Sequence, residues 1–196
     1  MKPSNVLILP GWQGSGAAHW QTRWERVHGY RRVEQHDWLR PLRGDWIARL
    51  EEILLLCDEP AVLVAHSLGC LNVAAWAAHS RNTHRVKAAL LVAPPDVERE
   101  AMRPLLPSWS LLVLHTLPFK TVMVTSSNDP FCAPERAWQF AAGWGADCFD
   151  AGARGHLNAD SGVGGWPEGH EQLRRLIHAS HSEPSRMHAP SSFTAL

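Results

Sequence analysis

The sequence predicts an α/β protein with a mainly parallel β-sheet of about six strands and helices on both faces. Short stretches that are apolar at every position alternate with amphipathic stretches along most of the chain. Strands without polar alternation are typical of a sheet that is covered on both sides, and their alternation with helices favours parallel βαβ units. The length of 196 residues suits one such domain.

The first half of the chain contains two fully apolar strand candidates, and the first of them ends at Pro10-Gly11. Apolar residues at helical spacing, such as Trp20 and Trp24, predict the helices between the strands. Asp45 is expected to cap the second helix. The elements predicted in this half are strands over 6–9, 33–38 (the weakest candidate) and 61–65, and helices over 19–27, 45–56 and 69–78.

The second half continues the alternation. Pro134 in the first turn and Gly145 after the last turn delimit its clearest helix. The predicted elements are strands over 86–92, 121–125 and 147–149, and helices over 134–144 and 171–177.

Two further stretches do not follow this alternation. Residues 94–119 are long for a connection, and they fit either a lid or binding loop or a packed excursion with a short helix. The last residues are dominated by His, Ser, Pro and Met. Residues 1–179 are therefore expected to form the single domain, and residues 180–196 a flexible tail.

Composition argues against several function classes. Nineteen Lys and Arg are balanced by nineteen Asp and Glu, whereas a nucleic-acid binder needs a basic excess. No apolar run approaches the length of a membrane span, and the apolar stretch near the start is too short for a signal peptide. Four cysteines without a C-x-x-C pair predict reduced thiols. We therefore expect a cytoplasmic protein without a nucleic-acid or membrane partner.

The sequence Ala65-His66-Ser67-Leu68-Gly69 lies between a predicted strand and a predicted helix. This is the context of the nucleophile elbow G-x-S-x-G, in which a sharp turn lifts the serine hydroxyl above the sheet. Alanine replaces the first glycine, so the match differs by one methyl group. The alternative is that the serine only caps the helix.

A nucleophilic serine needs a histidine base, and the base needs an acid that orients it. In hydrolases with this turn, the chain order is Ser, then Asp or Glu, then His. Asp129 follows the strand predicted over 121–125, and His156 lies in a glycine-containing loop after the last predicted strand. Asp150 is a rival for the acid, and Asp129 alone would also suit a turn before proline.

The oxyanion of an acyl-transfer reaction needs two preorganised N–H donors. One is expected to be the backbone amide of Leu68, directly after Ser67 at the start of a helix. The glycine-rich loop after the first strand is expected to supply the second, and the amide of Trp12 is the candidate.

Other interpretations of these residues are weaker. The loop has Gly11, Gly14 and Gly16, but His19 stands where a dinucleotide-binding G-x-G-x-x-G needs its third glycine. No phosphate-binding Gly-Lys-Ser/Thr motif is present. The histidines near the end of the chain lack the pattern of a catalytic metal site. Residues 55–59 fit Leu-x-Cys-x-Glu, a sequence that pocket proteins bind. These residues lie at the end of a predicted helix and directly before a core strand, so they would have to leave their packing to bind in extended form.

Taken together, the motifs resemble the small serine hydrolases related to retinoblastoma-binding protein nine and the bacterial YdeN proteins. The resemblance extends over about residues 5–177. Its motifs are Pro10-Gly11-Trp12, Ser15, His19-Trp20-Gln21, Ala65-His66-Ser67-Leu68-Gly69, Asn128-Asp129-Pro130, Gly155-His156-Leu157-Asn158, Ser161-Gly162 and Trp166-Pro167-Glu168-Gly169. It implies a minimal α/β-hydrolase fold without a large cap domain, with Ser67, Asp129 and His156 as the catalytic triad.

The sequence therefore predicts a serine hydrolase that cleaves a small ester, thioester or activated amide through an acyl-enzyme on Ser67. The expected partner is a small acyl substrate, and no cofactor or metal is expected. The alternative is a member of the same fold that binds a ligand or a protein without turnover.

Overall fold

A computed structural model describes residues 5–182. The strands are β1 (Val6–Leu9), β2 (Arg31–Arg32), β3 (Ala61–His66), β4 (Val86–Val92), β5 (Lys120–Thr125) and β6 (Asp147–Asp150). They form one sheet in the order β2-β1-β3-β4-β5-β6, and every neighbouring pair is parallel. The predicted α/β class and the parallel sheet of six strands are confirmed.

Helices cover both faces of the sheet. They are α1 (Trp20–His28), α2 (Arg43–Leu55), α3 (Leu68–His79), α4 (Pro134–Trp144) and α5 (Pro167–Ser182). Most of the tryptophans lie in the two cores that the helices form with the sheet. One core contains Trp46, Trp76, Trp109 and Trp144, and the other contains Trp20, Trp24 and Trp166. These large side chains give a small domain extensive apolar contact.

The structure differs from the predicted elements mainly at the second strand and at helix starts. The strand predicted over 33–38 is wrong: β2 has only two residues and lies earlier, and the chain turns away after the Val33 amide donates to the carbonyl of Ile8. Asp45 is in the first turn of α2 and does not cap it. Helix α5 begins at Pro167, since proline suits the first helical position. Residues 183–196, most of the predicted tail, lie outside the described residues.

The long connection after β4 is packed onto the domain. Its one regular element is a short 3₁₀ helix, Pro107–Trp109. The Trp109 indole is buried, and its Nε1–H donates to the carbonyl of Pro41 at 2.9 Å. Met102 and Leu106, from the same connection, are buried as well. The segment is thus tied to the helical layer on one face of the sheet.

The order of the strands determines where a site can form. From β1 the chain moves to the sheet edge at β2, and from β3 it moves in the opposite direction, to β4. Ligands of open α/β sheets bind beside the carboxyl ends of the strands where the direction reverses. In this chain that point lies between β1 and β3, where the glycine-rich loop and Ser67 are neighbours.

Candidate active site

Ser67 occupies a sharp turn between β3 and α3. Its backbone has φ 53° and ψ −125°, a conformation that residues other than glycine rarely adopt. Its amide donates to the carbonyl of Val92 at 2.9 Å, which ties the turn to β4. A serine that its surroundings hold in a strained turn between a strand and a helix is typical of a nucleophile elbow.

Two glycines allow this turn to pack against the end of β1. A Cβ atom on Gly69 would lie 2.4 Å from the carbonyl oxygen of Leu9, and one on Gly11 would lie 2.6 Å from Cβ of Ser67. Both distances are shorter than real Cβ contacts, and in each case the obstacle is close to the backbone. Ala65, at the position of the first motif glycine, is fully buried in the strand. The turn therefore accepts alanine there and needs glycine at 69.

The structure brings Ser67, His156 and Asp129 together. The Ser67 hydroxyl lies 2.9 Å from Nε2 of His156, and Nδ1 of His156 lies 2.9 and 3.0 Å from the two carboxylate oxygens of Asp129. The other candidate acid, Asp150, accepts a hydrogen bond from the Gly152 amide instead. The three residues come from loops after β3, β5 and β6, up to 89 positions apart.

The partners define the roles of the two imidazole nitrogens. An ionised carboxylate only accepts hydrogen bonds, so the proton of a neutral His156 belongs on Nδ1. Nε2 is then free to accept the hydroxyl proton of Ser67. Only 9% of the His156 side chain and 3% of the Asp129 side chain are exposed, so water competes little for these hydrogen bonds.

The loop that carries His156 is held by polar residues next to Asp129. The Asn128 side-chain oxygen accepts from the Gly155 amide at 2.6 Å, and the Ser126 hydroxyl accepts from the Arg154 amide at 2.9 Å. Sequence reasoning did not assign Asn128 a role, although it directly precedes the proposed acid. Its contact fixes the residue immediately before His156.

The two amides predicted to hold an oxyanion are available. Trp12 and Leu68 line the same cavity as Ser67. Within residues 5–182, neither backbone N–H donates a hydrogen bond to the protein. For Leu68 this follows from its place in the first turn of α3, where amides have no partner inside the helix. The Trp12 indole is fixed by a hydrogen bond to the Leu39 carbonyl.

Residues 6–175 match the family described as serine hydrolase. The chain belongs to the serine hydrolase family. No curated protein sequence matches it significantly.

Solved structures show the same fold for this serine hydrolase. A protein described as a YdeN-like hydrolase, from Pectobacterium atrosepticum, is 26% identical with a TM-score of 0.80, over 91% of this chain and 93% of the other. The ydeN gene product of Bacillus subtilis is 18% identical with a TM-score of 0.74, over 89% and 99%. Est1E from Butyrivibrio proteoclasticus, solved with ferulic acid, is 13% identical with a TM-score of 0.68, over 88% and 89%. The predicted resemblance to YdeN-like serine hydrolases is confirmed.

A cavity of about 330 Å³ surrounds Ser67 and His156 in this serine hydrolase. A larger groove, about 850 Å³, lies between α1 and α5, but none of the predicted catalytic residues lines it. We place the candidate site at the smaller cavity because Ser67, His156 and the two residues whose amides are predicted to hold the oxyanion all line it. Within the described residues, no group of three His, Cys, Asp or Glu could hold a metal ion. No helix over residues 5–182 is long and apolar enough to cross a membrane.

Gln21 connects three parts of the site, and no role was predicted for it from the sequence. Its side-chain amide is fully buried and donates to the carbonyls of Leu9, at the end of β1, and Val64, within β3. Its oxygen accepts from the hydroxyl of Ser15 at 2.6 Å. One side chain thus holds the glycine-rich loop against the two strands that flank the switch point. Only its place in the His19-Trp20-Gln21 motif could have drawn attention to it.

Two further histidines pack beside the site. His66 is buried, and its Nε2–H donates to the main-chain carbonyl of His156 at 2.9 Å, which helps to hold the His156 backbone in place. His19 caps α1, because its Nδ1 accepts from the Gln21 amide. Burial, aided by the positive charge of Arg32, lowers the pKa of His19 to about 4. Burial also lowers the pKa of His66 well below its ordinary value. Both rings are therefore neutral near pH 7.

These lowered pKa values predict acid-sensitive folding. The unfolded chain takes up a proton on His19 below about pH 6.5, whereas the folded chain does so only near pH 4. The free energy of unfolding should thus fall through this range, and His19 alone should account for about 2 kcal/mol between pH 7.5 and pH 5.

Urea unfolding at several pH values measures this effect. His19→Asn keeps an oxygen that can cap α1 and should reduce the pH dependence. The exposed His36 is the control, because His36→Gln should leave the dependence unchanged. An equal slope for His19→Asn and the native chain would contradict the assignment.

The thiols near the site are not competing nucleophiles. Cys70 is fully buried one turn after Ser67, and burial raises its pKa. Burial also raises the pKa of Cys132 to about 12. Since the thiolate is the reactive form, both side chains act as small apolar groups. Cys57, in the Leu-x-Cys-x-Glu string, is buried as well, and α2 ends just before it.

Proposed function

We propose that this serine hydrolase cleaves small esters, thioesters or activated amides through an acyl-enzyme on Ser67. The observation that supports this most strongly is the hydrogen-bonded series Ser67–His156–Asp129 at a strained turn. A serine that only caps a helix needs no imidazole on its hydroxyl, and the Ser67 side chain makes no capping hydrogen bond.

The reaction begins when Ser67 Oγ attacks the substrate carbonyl. As the new C–O bond forms, the hydroxyl proton moves to Nε2 of His156, and the carbonyl π electrons become an oxyanion. The Asp129 carboxylate holds the imidazole in the required tautomer and stabilises the imidazolium. The amides of Trp12 and Leu68 donate to the oxyanion, and losing one such donor typically costs about 3 kcal/mol of transition-state stabilisation.

The tetrahedral intermediate then collapses. The C=O bond re-forms, the bond to the leaving group breaks, and the imidazolium gives its proton to the departing alcohol, thiol or amine. Water next attacks the acyl-enzyme, with His156 taking its proton. A second tetrahedral intermediate releases the carboxylic acid and returns the proton to Ser67. His156 thus carries the Ser67 proton to the leaving group and a proton of the attacking water back to Ser67.

Covalent labelling tests the proposal directly. A fluorophosphonate probe should label the native protein, because it forms a stable bond with an activated serine. Ser67→Ala should remove the label, and Ser127→Ala, at an exposed serine near Asp129, should keep it. Circular dichroism of each variant verifies folding. A folded native protein that takes no label would favour the alternative, a member of the fold that binds a ligand or protein without turnover.

A further inference from the structure

The active-site cavity has two chemically different sides. Trp12, Leu68, Met102 and Leu106 line it and belong to, or pack against, the core on one face of the sheet. His19 and Asn158 also line it. Leu157, between His156 and Asn158, packs into the core on the opposite face of the sheet. The first group is apolar and the second is polar and uncharged. Phe131 completes the lining beside His156, with the two ring centroids 4.6 Å apart.

The cavity has no formal charge to offer a substrate. Among the described residues that line it, none is Asp, Glu, Lys or Arg. Its histidines other than His156 are His19 and His66, which are neutral near pH 7. An ammonium group would lose its hydration here without an opposite charge to replace it, which is unfavourable.

Proton transfer decides which side receives which half of the substrate. The leaving group must lie beside Nε2 of His156, because that atom protonates it. Asn158 and Ala159 follow His156 closely in the chain and line the cavity. The indole of Trp20, the first residue of α1, donates to the Leu157 carbonyl at 2.8 Å. This hydrogen bond keeps His19, the residue before Trp20, next to the same loop. The leaving group therefore lies beside His156, on the side of Asn158 and Phe131, and the acyl group on the side of Leu68, Met102 and Leu106.

The volume limits the length of the acyl group. A cavity of about 330 Å³ corresponds to about eleven water-sized groups at roughly 30 Å³ each. This space has to hold both halves of the substrate, which favours an acyl chain of roughly four to six carbons over one of about ten.

We infer that the substrate is an uncharged ester with a short apolar acyl group, which packs against Met102 and Leu106 of the connection after β4. This inference rests on the proposed function and adds the substrate class. It also assigns the segment 94–119 a role in binding, beyond packing on the domain.

An acyl series with matched variants tests the length limit. The rates with p-nitrophenyl acetate, butyrate, hexanoate and decanoate are compared at constant leaving group. We expect kcat/KM to be highest for butyrate or hexanoate and to fall at decanoate by about tenfold or more. Leu106→Phe should lower the hexanoate-to-acetate ratio by about tenfold, because the added ring fills the apolar side. Leu106→Ala should shift the optimum toward decanoate.

The neighbouring residue supplies the control. Leu105 is 54% exposed and does not line the cavity, so Leu105→Phe should leave the hexanoate-to-acetate ratio unchanged. Met102→Phe is a second way to fill the same side if Leu106→Phe does not fold. Ethyl, butyl and hexyl acetate vary the alcohol instead, and a loss of rate with the longer alcohols in Leu106→Phe, in place of a loss with the longer acyl groups, would overturn the orientation. Equal ratios for the folded Leu106 or Met102 variants and the native protein would overturn the acyl site.

A charged analogue tests the second half of the inference. The butyrate ester should exceed the 2-aminobutyrate ester of the same alcohol in kcat/KM by about tenfold or more, because the ammonium has no partner. A preference for the cationic ester would contradict the uncharged class. Failure of the proposed function is distinguishable, because the native protein would then hydrolyse no ester and take no fluorophosphonate label. Ser67-dependent turnover without these selectivities would overturn only the present inference.

Discussion

Ser67→Ala and His156→Ala should each lower kcat for the best ester by about 10⁶-fold, and the double variant should be no slower than either. The reason is that the two side chains act as one unit. Without the imidazole, the hydroxyl 2.9 Å away has no acceptor for its proton, and without the hydroxyl, the imidazole has no nucleophile to activate. Each single change therefore removes the same covalent pathway.

Some catalysis should survive in all three variants. The Trp12 and Leu68 amides and the cavity remain, and in related chemistry such features leave about 10³ to 10⁴-fold over the reaction in water. Steady-state rates at high enzyme concentration measure this double-mutant cycle, and circular dichroism verifies that each variant is folded. Additive losses in the double variant would mean that Ser67 and His156 act independently, which contradicts the mechanism.

Asp129→Asn should lower kcat by about 10⁴-fold with little change in folding. Asparagine keeps the shape of the carboxylate, but its amide can donate to Nδ1 of His156. The imidazole proton then moves to Nε2, where it blocks acceptance of the proton from Ser67. Asparagine also removes the negative charge that stabilises the imidazolium, so both steps that use His156 are slowed.

Asp150→Asn is the matched control for this change. Asp150, the last residue of β6, is the other candidate acid, but it accepts a hydrogen bond from the Gly152 amide and makes none with His156. We expect its kcat to stay within about twofold of the native value, since asparagine accepts the same hydrogen bond. A large loss for Asp150→Asn with full activity in Asp129→Asn would reverse the assignment of the orienting acid.

Much of this site could be predicted because its signals are local. The apolar run of β3, the small residue at 69 and the following helix are all within about fifteen residues of Ser67. The chain order of nucleophile, acid and base, each after a strand of a parallel sheet, places Asp129 and His156 at one edge before any distance is known. Strand β2 could not be predicted in the same way, because two residues carry too little periodicity.

The sequence by itself determined the class of the sheet, the strained turn at Ser67 and the order of the predicted catalytic residues, since these depend on neighbours along the chain. Only the tertiary structure decided that His156 pairs with Asp129 and not with Asp150, and that His66 and Gln21 support the site from within the core. It also brought Met102 and Leu106 to the cavity. These contacts join segments far apart in the chain, and their partners depend on how the loops pack above the sheet.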